Sequence, residues 1–391
     1  MVEQYHGAKG GDNIIAIIDA ELTENVRKIR RFPNLACMKL AGYYKGMGED
    51  VTLKTDYENL QSFDKVYISK VFTKTSVPEK ILLLPNVSYG GTGFFYADSP
   101  ALPSEVEHSF PDYELYGGYV NEKLQNGVKP HVLKCFTDYS IGFLTRGCFR
   151  RCGFCVNKKY DRCVTHSQID EFYDKDRKKI MLLDDNILAH PQWAEYFEGL
   201  RGTGKPFCFK QGVDIRLITP YFAQMINKAK YDGDLLFAFD NLADAELIER
   251  KLIMFREHSN KEAKMYLFCG YDRHDRYDTD FWLADIESIF KRLAIIGKYR
   301  IKPYLMRYEK YLASPFSGVY KNLATYCNAV GIVHVSSFSA FCENQRAKSK
   351  NQDKPCSAWR YYADFIKQYP YFETQYFNTL YYKRSGENGK E

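Results

Sequence analysis

Residues 139–155 read YSIGFLTRGCFRRCGFC. Tyr139–Thr145 is an apolar run of strand length, and it leads straight into a loop carrying Cys148, Cys152 and Cys155. Three and then two residues separate these cysteines. Beyond the loop the chain repeats one pattern. Ser167 with Asp170 three residues later reads as a capping box that opens a helix. Lys179–Asp184 is the next strand, Pro191 opens a helix that stops near Gly202, and Phe207–Lys210 is a third strand. Thr219-Pro220 caps a further helix. Leu235–Asp240, Met265–Gly270 and Ile301–Met306 are strands, separated by helices over Ala243–His258 and Asp280–Gly297. Six strands in series with helices predict an α/β fold whose main body is a partial (β/α)6 TIM-like barrel. In such a series the chemistry belongs at the C-terminal ends of the strands.

Working outward toward the N-terminus, Asn13–Asp19 (NIIAIID) reads as a buried strand, followed by a helix over Asn34–Gly46 and a strand near Val51. Lys65–Phe72 is a third strand, and Lys80–Leu84 begins another β-α step. This alternation predicts a small doubly wound, Rossmann-like domain over residues 1–117. Gly90-Gly91-Thr92-Gly93 is a tight loop, read as a turn or as a close approach of backbone to ligand. The stretch from Pro100 to Pro130 is rich in Pro, Gly and acidic residues, and a linker is expected at 118–135. The barrel then takes 136–310, and 311–391 forms a C-terminal extension.

The chain of 391 residues is long enough for two domains, and its 45% hydrophobic and 27% charged residues are ordinary for a globular protein. The 16% aromatic share is high and is read chiefly as core. A net charge of +6 permits an anionic substrate without arguing for one. The two basic clusters, Arg27–Lys28–Arg30–Arg31 and Arg177–Lys178–Lys179, read as solvated faces, so nucleic acid as a partner is unsupported. Met1–Asn13 is polar, and no apolar run approaches membrane-spanning length. The expected location is therefore cytoplasmic, with no membrane partner. Thiols stay reduced there, so 11 cysteines suggest metal binding or catalysis before disulfides.

Three thiolates can ligate three irons of a cubane cluster and leave the fourth iron open to a substrate or cofactor. Arg146, Arg150 and Arg151 would partly offset the negative charge. At these residues the sequence resembles the radical S-adenosylmethionine superfamily, whose hallmark is this spacing and whose aromatic before the third cysteine matches Phe154. The looser likeness covers roughly residues 136–310. It implies a 4Fe–4S cluster on Cys148, Cys152 and Cys155, with S-adenosylmethionine on the open iron. It further implies reductive cleavage of that cofactor to a 5′-deoxyadenosyl radical, which abstracts hydrogen from a substrate the sequence does not name. A flavodoxin- or ferredoxin-type donor would supply the electron.

Other strand ends carry polar candidates. Asp184-Asp185-Asn186 ends the second strand, where the family places groups that receive the cofactor's ammonium; capping by Asn186 is the plain alternative. Gln211, Asp214 and Arg216 follow the third strand as cofactor or substrate ligands, with an Asp214–Arg216 ion pair as the alternative. Asp240 ends the fourth strand and is a candidate for ribose hydroxyls. Tyr271-Asp272, Arg307 and Glu309 sit at the last two ends. No residue is assigned a catalytic role.

The cysteine loop also admits a non-catalytic reading, an iron–sulfur or zinc-binding module with Cys163 or His166 as a fourth ligand. In the tail, Cys327, Cys342 and Cys356 are candidates for an auxiliary cluster, and Trp359–Lys383 is expected to pack across the barrel mouth. Cys37, Cys135, Cys208 and Cys269 read as core. A doubly wound domain before such a barrel resembles cobalamin-binding radical enzymes. The Asp-x-His-x-x-Gly signature is absent and His6 and His108 lie outside any such pattern, so a cobalamin-like fold without cobalamin is expected.

Overall fold

The computed structural model describes residues 13–23, 29–157, 159–347 and 356–382; His6, Arg27 and Lys28 lie outside them. The chain divides into two compact units, one drawn from Met1–Arg151 and Cys155–Cys208, the other from Cys152–Phe154 and Phe209–Glu391. Both are α/β, built on parallel sheets.

The leading sheet has the order β2-β1-β3-β4, all parallel, from β1 (Ile14–Asp19), β2 (Asp50–Lys54), β3 (Lys65–Ser69) and β4 (Val87–Gly90). β1 is an unbroken apolar run because a parallel strand is covered on both faces. Helix α1 (Leu35–Gly46) is capped by Asn34, whose side chain accepts the Ala36 and Cys37 N–H groups. β3 stops at Ser69 rather than Phe72, because Glu21 Oε1 takes the N–H groups of Val71 and Phe72 at 2.9 and 3.0 Å. Asp19 and Ser69 are register partners at the C-terminal ends of β1 and β3. Tyr116 donates its hydroxyl to Asp19 (2.9 Å) and accepts the Asn34 N–H, while the Asn34 amide donates to Ser69 (2.9 Å). Burial pushes the Asp19 carboxyl up to about 7.

Residues 118–135, expected as a linker, instead carry parts of α2 (Gly117–Gln125) and α3 (Pro130–Thr137). Their apolar side chains recur at helical spacing, and Tyr119, Val120, Leu133 and Phe136 enter the core around Ile15, Ile17 and Cys37. Arg177, expected on a solvated face, is buried with its guanidinium donating to the carbonyls of Phe136 and Tyr113.

The expected barrel strands fall into two three-stranded sheets, and no closed barrel forms among the described residues. The first has the order β5-β8-β9, from β5 (Tyr139–Gly142), β8 (Lys179–Leu182) and β9 (Phe207–Phe209). The strand expected over Tyr139–Thr145 breaks after Gly142, where any Cβ would lie 2.2 Å from the Phe172 ring. Its continuation, β6 (Thr145–Arg146), pairs antiparallel with β7 (Val164–Thr165), so a hairpin frames the cysteine loop. The capping box lies one residue later than expected. Gln168 and Glu171 form it, opening a single 3-10 turn rather than a helix. Helix α4 (Trp193–Gly202) leads on to β9.

In the second unit, β10 (Leu235–Ala238), β11 (Ala263–Cys269) and β12 (Lys302–Arg307) are parallel in that order. Helices α5 (Pro220–Lys228), α6 (Ala245–His258) and α7 (Thr279–Lys298) separate the strands. The chain after the short β9 reaches β10 through one backbone bond, Val213 N–H to the Leu236 carbonyl at 2.9 Å. Helices α8 (Ser317–Asn328), α9 (Phe338–Ala347) and α10 (Ser357–Gln368) come after β12. The aromatic tail packs against α7, with Phe290 meeting Phe377 and Tyr381 and Tyr376 donating to Glu287. Its rings at Tyr362, Phe365, Phe372 and Phe377 are buried as core. No helix of the described residues is long and apolar enough to cross a membrane.

Candidate functional site

The cysteine loop is fastened by the residues that come after β8. Asp184, 1% exposed, accepts the N–H groups of Leu144 (3.2 Å) and Thr145 (2.6 Å) and the Thr145 hydroxyl (2.6 Å). Burial raises its carboxyl to about 6, with these hydrogen bonds opposing. Asp185 accepts the Gly147 N–H at 2.8 Å. Gly147 has φ +93°, and a Cβ there would meet the Arg162 carbonyl at 2.3 Å, so only glycine fits. Asn186 donates its amide to Cys148 Sγ at 3.4 Å, as does the Arg150 N–H. Two N–H donors on one sulfur are surroundings that suit a thiolate ligand.

Asn186 is 3% exposed, and its Oδ1 is buried without a hydrogen-bond partner. Arg146 Nε, two residues before Cys148, is likewise buried and unpartnered. The Arg146 guanidinium lies 3.5 Å from the centroid of Phe143, and Nη2 reaches Glu107 at 3.4 Å. Cys163 is buried near Cys148, and burial raises its thiol to about 11.

Cys148 and Cys155 belong to the first unit, whereas Cys152 goes with Gly153 and Phe154 to the second. There Phe154 packs on Phe268, with ring centroids 4.0 Å apart, and on Tyr271 at 5.5 Å. A Cβ on Gly153 would lie 1.9 Å from the Tyr271 hydroxyl oxygen. Among the described residues no group of three or more His, Cys, Asp or Glu side chains is gathered closely enough to hold a metal ion. Within the second unit, Cys327, Cys342 and Cys356 form no such group.

The other sequence candidates lie in the second unit. Gln211 is exposed. Asp214 accepts the Arg216 Nε–H at 2.8 Å, and Arg216 Nη1 reaches Asp244 at 2.8 Å, so both are engaged in an ion-pair chain. Burial lifts the Asp240 carboxyl to about 6, against the charges of Arg292 and Arg216. Cys327 and Cys342 have no exposed surface; Cys356 is partly exposed. No disulfide forms among the described residues. Sequence reasoning missed Thr145, Tyr271 as a neighbour of Gly153, and Glu107. The last has no local signal, because its partners are distant in the chain.

No protein-family model matches the chain, and no curated protein matches it. Among solved structures it is similar to a radical S-adenosylmethionine methyltransferase, TsrM from Kitasatospora setae, with cobalamin and a [4Fe-4S] cluster bound. The TM-score is 0.48 and the identity 10%, over 76% of this chain and 75% of that one. The expectation that this chain takes no cobalamin draws no support from that protein.

Proposed function

We propose that this chain is a radical S-adenosylmethionine enzyme, with Cys148, Cys152 and Cys155 as ligands of a 4Fe–4S cluster. The observation that carries the reading is the fastened loop: Asp184, Asp185 and Asn186 hold the residues around Cys148, and Asn186 stays one hydrogen bond short. A buried polar group without a partner costs about 1–3 kcal/mol. Near Cys148 the chain carries two, a carbonyl acceptor on Asn186 and an N–H donor on Arg146. An α-amino acid group presents the matching ammonium and carboxylate, and the methionine end of S-adenosylmethionine is such a group. These two unpartnered groups support the reading, because each complements one end of that amino acid group.

When bound, the cluster and S-adenosylmethionine would supply one-electron cleavage to a 5′-deoxyadenosyl radical and hydrogen abstraction from a substrate still to be found. The chain's own part is orientation. Asp184 fixes the turn into the loop, Asp185 holds Gly147, and the Asn186 amide steadies the Cys148 sulfur. Asp240 is proposed for ribose hydroxyls, Gln211 for substrate. A partial (β/α)6 barrel over 136–310 and a flavodoxin- or ferredoxin-type protein as electron donor belong to the same proposal. The zinc reading is weaker. Of its two fourth ligands, Cys163 is buried with a thiol near 11, and His166 Nε2 is engaged by Glu107 at 3.1 Å.

The test is to purify the chain without oxygen, reconstitute it with iron and sulfide, reduce it, and assay S-adenosylmethionine for 5′-deoxyadenosine. Production by the wild type and none by Cys148→Ala/Cys152→Ala/Cys155→Ala supports the reading. A zinc-loaded protein, or a cluster that leaves the cofactor intact with candidate substrates present, overturns it.

A further inference from the structure

We propose that Glu107 is a positioning residue that fastens the base of the cysteine hairpin to helix α1 and so sets the conformation of the loop bearing Cys148. Glu107 ends a short helix, Ser104–Glu107, in a stretch whose composition gave it no assigned role. Its Oε1 is the meeting point of three basic side chains: Lys39 Nζ at 2.9 Å, His166 Nε2 at 3.1 Å and Arg146 Nη2 at 3.4 Å. Lys39 belongs to α1, and its side chain is only 6% exposed. It also donates to the Glu107 carbonyl.

Arg146 sits at the loop end of the hairpin and His166 at its open end. Arg146 ends β6 opposite Val164 in β7, and His166 comes directly after β7. One carboxylate therefore touches both legs of the hairpin, the Arg146 leg where it leaves for the cysteine loop and the His166 leg at the opposite end. Burial by itself would raise the Glu107 carboxyl; the His166 hydrogen bond and the Lys39 and Arg146 charges bring it down to about 2. The carboxylate is thus ionised throughout the neutral range. His108 reinforces the clamp, its ring stacked on His166 at 5.3 Å and its Nδ1 on Glu171 at 2.7 Å. Glu107 touches no cysteine; it acts through Arg146, two residues before Cys148. That the loop it holds is a cluster-binding loop rests on the proposed function; the fastening does not.

The experiment reads amide hydrogen exchange by mass spectrometry on the full-length, metal-free chain, together with iodoacetamide labelling of Cys148. Glu107→Gln should speed exchange in peptides covering 143–148 and 162–166 by about tenfold, which loss of one charge-assisted hydrogen bond implies. Cys148 labelling should quicken in step, while exchange in β1 and β11 stays at the wild-type rate. Arg146→Gln removes one of the three links and should have a smaller effect, and adding it to Glu107→Gln should add nothing, because Glu107→Gln already weakens that link. Should Glu107→Gln not fold, Glu107→Asp keeps the charge and shortens the reach, and is read identically. Unchanged exchange in the hairpin, exchange raised equally everywhere, or additive single effects would each overturn the proposal. Neither readout uses iron or S-adenosylmethionine, so a chain that cleaves no cofactor still answers it.

Discussion

Two regions of this chain are conspicuous for cysteine, and they have opposite surroundings. Cys148, Cys152 and Cys155 stand on an irregular loop, each partly exposed, with N–H donors converging on the Cys148 sulfur. Cys327 and Cys342 stand in α8 and α9, wholly buried among rings such as Phe338 and Tyr326. Burial pushes the Cys327 thiol up to about 12 and raises that of Cys342 as well. A sulfur that must become a ligand needs donors around it and a way to lose its proton; a sulfur that fills a core needs neither. Surroundings, rather than the number of cysteines, separate the two uses.

The largest effect should come from exchanging the two regions in an iron count. Cys148→Ala/Cys152→Ala/Cys155→Ala is expected to hold no iron after reconstitution, and Cys327→Ala/Cys342→Ala to hold the wild-type amount per chain. Iron lost from the second variant would break the comparison and bring back an auxiliary cluster in the tail.

Next in size is reactivity. At pH 8 a thiol at about 12 is roughly one ten-thousandth thiolate, against about a quarter for an ordinary thiol at about 8.5. Since Cys327 is also inaccessible, iodoacetamide should label it at least about a thousandfold more slowly than an ordinary exposed thiol in the metal-free chain, by mass spectrometry. Rapid labelling of Cys327 would mean that α8 opens and that its aromatic surroundings are not a closed core.

Stability should invert the ranking. Cys327→Ala empties part of a packed core and should cost about 1–3 kcal/mol in denaturant unfolding. Cys148→Ala should cost less than about 1 kcal/mol. Equal losses would say that the loop sulfur is structural, contrary to its exposure.

How far these differences were legible in the sequence depends on their range along the chain. The 148–155 spacing is local, so the loop and the apolar strand before it could be read directly, whereas the break after Gly142 and the β6–β7 hairpin could not. β1 and β8 were plain as apolar runs, yet strand periodicity does not encode pairing, and the division into β5-β8-β9 and β10-β11-β12 stayed hidden. Residues 118–135 misled because glycine and proline masked the helical spacing of Tyr119, Val120, Leu133 and Phe136. Asp184 and Asp185 were located correctly as strand-end groups, but nothing local reveals that their oxygens go to backbone about forty residues earlier. Glu107 was the hardest, since Lys39, Arg146 and His166 converge on it from three separate elements.

The smallest effect is expected at Cys163, and it sharpens the comparison most. This cysteine belongs by position to the hairpin that frames the loop and lies within electrostatic reach of Cys148. By surroundings it belongs with the tail, buried and with its thiol raised to about 11. If surroundings decide use, Cys163→Ala should leave the iron content of the reconstituted chain unchanged and lower stability by only about 1 kcal/mol. If proximity decides, the sulfur completes a closed four-ligand site of the kind zinc prefers, and the substitution should remove metal along with affinity. Metal analysis of the purified variant, loaded separately with iron and with zinc, separates the two. Loss of zinc with retention of iron would be especially informative, because a buried protonated thiol would then have been recruited by one metal and ignored by the other.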